Sequence, residues 1–176
     1  SIDKTKIDAL NGSGDEVVTA TVSPFEVVEA GRTIATKVIP YAVPKARLEV
    51  LGELAGDSGA IIVHPFHQWR VGLVLSRVAG NKERLLDKAR EVISARIETY
   101  GSKIVREERT EHQVDTVAKA LADLKKAKPD LILILGGAST SDRRDVVPAA
   151  IERAGGRVDL FGVPVDPGNL FISGVL

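Results

Sequence analysis

The segment DLILILGGASTSDRRDVVPAAIE, Asp130 to Glu152, decides the fold. Its first five residues after Asp130, Leu131 to Leu135, are apolar without interruption. A run that short, apolar throughout and partly β-branched, is expected to be a strand covered on both faces, as in a parallel sheet. Gly136 and Gly137 follow, then a polar stretch from Ser139 to Asp145. Val146, Val147, Ala150 and Ile151 then recur at helical spacing, and Pro148 fits only in a first helical turn. The segment therefore predicts a strand, a glycine turn, a hydroxyl-rich loop and a helix beginning near Asp145. Such a helix start offers unpaired N–H groups that suit an anion such as phosphate. In open α/β sheets ligands bind at the carboxyl ends of strands. Glycines without a Cβ are expected to let a bulky ligand approach the backbone. Asp145 acting as a plain N-cap in a tight turn is the simpler alternative.

The same alternation extends outward. RVGLVLS (Arg70–Ser76) is expected to be a buried strand, and Val78–Gly101 a long helix with Leu85, Leu86, Ala89, Val92 and Ile93 on one face. Ser102–Glu108 predicts a strand and Thr110–Lys126 a helix. After the central segment, Gly155–Val163 predicts a fourth strand, and Leu170–Leu176 begins another. This order implies a doubly wound domain with right-handed crossovers. The expected class is α/β, a three-layer α/β/α sandwich with a mostly parallel sheet, preceded by a small β-rich module.

That module is placed at residues 1–66 and the α/β domain at 67–176. Ser1–Gly14 is polar and expected to fray. Glu16–Val22, Phe25–Ala30 and Arg32–Pro40 are rich in Val, Ile and Thr and predict two or three antiparallel strands. Pro44–Ala55 predicts one helix, with Leu48, Leu51 and Leu54 or Ala55 on one face, and Gly59–Phe66 another strand.

Composition excludes several classes. Among 176 residues, Lys+Arg and Asp+Glu are both 24, so the formal net charge is zero, and neither nucleic acid nor an anionic membrane is expected as a partner. Cysteine is absent, which removes disulfides and thiolate metal sites. No apolar run approaches the roughly 20 residues of a membrane span, and a cytoplasmic location is the default expectation. Methionine is also absent and the chain stops in an expected strand, so both ends are expected to have been cut from a longer protein.

Other positions carry weaker signals. The loop after the first α/β strand, Arg77–Lys82, has neither the P-loop nor the GxGxxG spacing. Asn81 is expected to cap the long helix, while Ser76 and the loop amides are expected beside the Gly136 loop. Thr110 with Gln113 three residues on is expected to be a capping box. His64 and His67 are separated by a proline and have no third ligand nearby in sequence, which disfavours a metal site. Trp69 is expected to be a packing anchor. Asp142 and Asp145 could hold Mg²⁺ through one or two oxygens, or pair instead with Arg143 and Arg144. No Ser-His-Asp or Cys-His set is legible.

ILILGGASTSDRRDVVPAAI resembles the signature of molybdopterin-binding domains of molybdenum cofactor biosynthesis. These occur in molybdopterin adenylyltransferases, molybdotransferases and competence-damage-inducible proteins. The resemblance lies in the double glycine, then Arg143-Arg144-Asp145-Val146-Val147-Pro148-Ala149-Ala150, with Ser139 and Asp142 fitting the molybdotransferase variant and Pro167-Gly168 a later proline–glycine loop. It covers Val71 to about Gly168. It departs at Glu111-His112, where the family carries a proline–aspartate pair, and at Ser76-Arg77, where no acid follows the first strand.

The resemblance implies binding of molybdopterin or its nucleotide adduct, with Mg²⁺ and ATP as further cofactors if adenylyl transfer or molybdate insertion takes place. It also implies a homo-oligomer, a trimer or dimer, and a fused or separate nucleotidyltransferase module as partner. Gly136, Gly137, Ser139, Thr140, Ser141, Arg143, Arg144, Ser76, Pro167 and Gly168 are the expected pterin and phosphate ligands. Asp145 and Asp142 are the expected catalytic and metal-holding groups. The alternatives are a non-catalytic pterin carrier or sensor, and pyridine-nucleotide processing as in the competence-damage group.

Overall fold

The computed structural model describes all residues except Asp15, Glu16, Ile39, Pro40, Tyr41, Asp57, Ser58 and Asn81. The expected cap at Asn81 lies outside the described residues, as do the ends of the expected strands at Glu16 and Pro40. The chain divides into two compact units, Ser1–Pro65 and Phe66–Leu176.

The second unit is α/β. Three parallel strands, β3 (Arg70–Arg77), β4 (Lys103–Glu111) and β5 (Leu131–Leu135), form a sheet in the order β4-β3-β5. Side chains alternate across a strand, so β3 serves two cores at once. Leu73 and Leu75 face helix α3 (Glu83–Glu98) through Leu86, with Ala89, Ile93, Ile104 and Leu133 around them. Val74 faces the opposite side, against Val117, Leu121 and Leu124 of α4 (Val114–Lys125) and Ala150 of α5 (Val146–Arg153). Ile132 and Ile134 join that second cluster. The result is the expected sandwich of helices on both faces of a parallel sheet. Val71, Leu73, Val74 and Leu75 are at most 1% exposed, so the strand covered on both faces is β3. By contrast β5 is half-buried, and Leu135 at its end is exposed. Its continuous apolar run reads the same as a central strand's, and pairing on only one side explains the difference.

Two expectations change at the end of this unit. The fourth strand, β6 (Arg157–Phe161), pairs antiparallel with β7 (Ile172–Val175) in a separate two-stranded sheet. Among the described residues it is not hydrogen-bonded to the parallel sheet, and its one paired edge is taken by β7. Thr110 is not a helix cap. It lies in β4 opposite Ser76, and pairing continues one residue further to Arg77 and Glu111. The cap of α4 is Gln113, without a side-chain cap bond.

The first unit differs more from expectation. Ser1–Gly14 does not fray: Lys4–Gly12 forms helix α1. Asp3 caps it by accepting from the Lys6 amide at 3.1 Å, and Ile7 and Leu10 bury one face. The strands are β1 (Val18–Thr21) and β2 (Ala35–Val38), an antiparallel pair. Phe25–Ala30 is a turn and irregular segment, with Phe25 at positive φ and 88% exposed. Gly59–Phe66 makes only an isolated bridge, Ile61 to Ile2. Helix α2 (Lys45–Ala55) forms as expected, but none of its residues is buried. Among its described residues the unit therefore carries two helices rather than one.

Candidate functional site

The sheet brings the candidate residues to one edge. The register pairs Leu75 with Leu135, so Ser76 and Gly136 are the next residues on adjacent strands. Helix α3, which follows β3, lies on one face, and α5, which follows β5, lies on the other. Neighbouring strands whose connections diverge in this way open a crevice at their carboxyl ends.

A buried polar knot lies at this sheet edge. Ser76 is 2% exposed. Its Oγ lies 2.9 Å from His112 Nδ1 and 3.4 Å from the Leu135 carbonyl, and it accepts from the Gly137 amide at 3.1 Å. The same amide lies 3.3 Å from His112 Nδ1. Three loops, after β3, β4 and β5, are thus fastened together by one hydroxyl, one imidazole and one N–H. The need for glycine here has an internal cause. A Cβ on Gly137 would stand 2.9 Å from Ser76 O, Arg77 Cα and Val78 N. One on Gly136 would meet the Ala138 carbonyl at 3.0 Å and His112 Cε1 at 3.4 Å. The space expected for a ligand at Gly137 is filled by the chain's own backbone.

The loop from Ala138 to Asp145 is built in the opposite way. Asp145 sits at the N-cap of α5, but its side chain does not cap the helix. An N-cap side chain accepts from the second or third helical amide, and Pro148, third in the helix, has no N–H. Asp145 Oδ2 instead turns back to accept from the amides of Ser141 at 2.7 Å and Asp142 at 2.9 Å. This holds the loop in a closed bend and leaves Oδ1 without a hydrogen bond among the described residues. Asp142 is occupied: Oδ1 accepts from Arg144 N at 2.7 Å and Nε at 3.0 Å, and Oδ2 from an Arg144 terminal nitrogen at 3.0 Å. The guanidinium holds the Asp142 carboxyl below the usual aspartate range. Arg143 makes no ion pair among the described residues. Its guanidinium lies over the Phe161 ring at 5.3 Å from the centroid, which ties the loop to the end of β6.

What remains is a set of free donors. The hydroxyls of Ser139, Thr140 and Ser141 and the amides of Ala138, Ser139 and Thr140 make no hydrogen bond among the described residues. Arg143 and the first amides of α5 adjoin them. Such a concentration of donors with no acceptor suits an anionic, oxygen-rich group.

Of the expected site residues, Ser76, Gly136 and Gly137 fall in the knot, and Ser139 to Asp145 in the loop beside it. Pro167 and Gly168 lie in the turn between β6 and β7, beyond Phe161, where Phe171 donates to the Gly168 carbonyl at 2.9 Å. Among the described residues no hydrogen bond links them to the loop. Among the described residues no three His, Asp or Glu side chains gather as a metal-ligand set. His64 Nε2 lies 3.0 Å from Ser1 Oγ in the first unit, and Trp69 is exposed. The residue brought to the knot without having been named as a site candidate is His112, where the resemblance departs from the family's proline–aspartate pair. Its signal was positional: it stands just past the carboxyl end of β4, as Ser76 and Gly136 stand at the ends of β3 and β5.

Residues 69–173 match the family described as "Probable molybdopterin binding domain". That span takes in the whole parallel sheet, the knot, the loop and the β6–β7 turn. No curated protein matches the chain.

Proposed function

The chain belongs to the molybdopterin-binding domain family, and from that premise we propose that it binds molybdopterin, by its phosphate, at the loop from Ala138 to Asp145. The observation that carries this reading is the group of hydroxyls and amides at Ala138–Ser141 that have no hydrogen-bond partner among the described residues, in the same loop as Arg143, which makes no ion pair among them. A phosphate placed there would accept from several donors at once, and the charge-assisted bonds would be about twice as strong as neutral ones. Ser76, Gly136 and Gly137 serve the site by fixing the loop's base. In this reading Pro167 and Gly168 would contact the pterin ring. In this reading the second unit is a molybdenum cofactor biosynthesis domain, and residues 1–66 are a separate module.

Catalysis needs more. Adenylyl transfer or molybdate insertion would use Mg²⁺ to neutralise phosphate oxygens. Asp145 Oδ1 is the oxygen available for it, with Asp142 joining only after Arg144 lets go. That engagement favours the second reading, a carrier or sensor that holds the pterin without transforming it. Calorimetry with molybdopterin and with Mg-ATP separates the two. The expected result is pterin binding by the wild type and its loss in Asp145→Ala. Nucleotide turnover, if found, would assign the transferase activity; hydrolysis of ADP-ribose in place of pterin binding would assign the pyridine-nucleotide reading. Absence of binding by the wild type sinks the proposal.

A further inference from the structure

The knot has one atom left over, and its chemistry is fixed by the atoms already engaged. Gly137 N–H can only donate, and it points between Ser76 Oγ and His112 Nδ1, 3.1 and 3.3 Å away. A donor aimed at Nδ1 requires a lone pair there. With its lone pairs receiving Gly137, the Ser76 hydroxyl sends its own proton to the nearer acceptor, Nδ1 at 2.9 Å rather than the Leu135 carbonyl at 3.4 Å. Every atom is then satisfied with the ring neutral and its proton on Nε2. The opposite tautomer would set the Nδ1 proton against the Gly137 proton.

Nε2 itself makes no hydrogen bond among the described residues, and it is not sealed from solvent: the one buried side-chain polar atom lacking a partner among them is Thr19 Oγ1. The ring is anchored at Nδ1, which meets Ser76 Oγ at 2.9 Å and the Gly137 amide at 3.3 Å. The nearest acid in sequence, Glu111, is drawn off by Arg77 at 3.0 Å, and Arg77 also holds Glu83 at 3.0 Å. Among the described residues no carboxylate bonds the imidazole.

We propose that His112 is a ligand-binding residue of the site, a tautomer-locked Nε2–H donor that recognises a phosphate oxygen together with the Ala138–Ser141 donors. The assignment rests on the loop being a phosphate site and adds a residue at the position where a carboxylate would repel the same anion.

The test uses the full chain and inorganic phosphate as probe. Long-range ¹H–¹⁵N spectra of the ligand-free protein at pH 8 are expected to show His112 protonated on Nε2, and phosphate is expected to move the Nε2 resonance. His112→Phe, which keeps a flat ring without the donor, is expected to weaken phosphate binding about tenfold or more. His112→Gln, which restores an N–H, is expected to recover most of it. A proton on Nδ1, an Nε2 resonance indifferent to phosphate, or equal affinities in wild type and His112→Phe overturns the assignment. If the Nε2 response is present but molybdopterin does not bind the wild type, the pterin reading fails and the phosphate donor stands.

Discussion

The knot at Ser76, His112 and Gly137 and the loop at Ser139–Asp145 are neighbours on one sheet edge, yet they handle their polar groups in opposite ways. In the knot every inward-facing donor and acceptor has a partner, and there is no room for another carbon atom. In the loop, Asp145 closes the bend through two amides, and three hydroxyls and three amides have no partner among the described residues. Burial explains the contrast. An unpaired polar group in the low-dielectric interior costs free energy, whereas one facing water costs little. The rigid half can therefore serve as a base, and the unsatisfied half can be held ready for a ligand.

The contrast can be broken from the knot first. Gly137→Ala forces a Cβ within 2.9 Å of three backbone atoms that have no flexible end to move. A loss of about 3 kcal/mol or more is expected, since overpacking of a rigid site lies at or above the usual range, and thermal unfolding measures it. Ser76→Ala leaves the Gly137 amide and the imidazole short of a partner. Denaturant titration should show a loss of about 1–3 kcal/mol. A stability change within error for Ser76→Ala would mean that the knot does not hold the three loops.

Changes in the loop should cost less stability and more binding. Asp145→Ala frees two amides that water can reach, so a loss of about 1 kcal/mol is expected, together with loss of pterin binding by calorimetry. Replacing Ser139 and Ser141 with Ala should shift stability by no more than about 0.5 kcal/mol while weakening phosphate binding. Equal losses of stability in loop and knot variants would erase the distinction. The smallest effect concerns pH. Because Arg144 depresses the Asp142 carboxyl, whatever the pair contributes is present above the ordinary aspartate value, near pH ~4, and is lost as the pH falls below it through the folded-state value. Arg144→Ala should flatten that acid limb by lowering the stability above it by the same small amount, the two proteins converging at low pH.

Much of this was readable from particular residues. The alternation from Arg70 onward placed β3, α3, β4, α4, β5 and α5, because parallel strands and amphipathic helices leave distinct periods in a sequence. Pro148 placed the start of α5 near Asp145. What the sequence could not show was neighbour number. Leu131–Leu135 and Val71–Leu75 are equally apolar, yet one strand lies at an edge and the other at the centre. The same limit hid the pairing of β6 with β7. In the first unit, Val/Ile/Thr content suggested strands at Phe25–Ala30 and Gly59–Phe66 where pairing did not follow, and the short helix with its Asp3 cap was passed over.

The candidate site divides along the same line. The double glycine, the hydroxyls and Asp145 are contiguous, so chain order alone assembled them. Ser76, His112 and Phe161 lie far from that loop in sequence, and only the sheet register brings them to it. Local sequence determines which elements form, because their periodicity and caps are written within a few residues. Strand order, the partner of each polar atom and the reason for Gly137 were decided by tertiary structure, because each depends on groups that meet only once the strands are laid side by side.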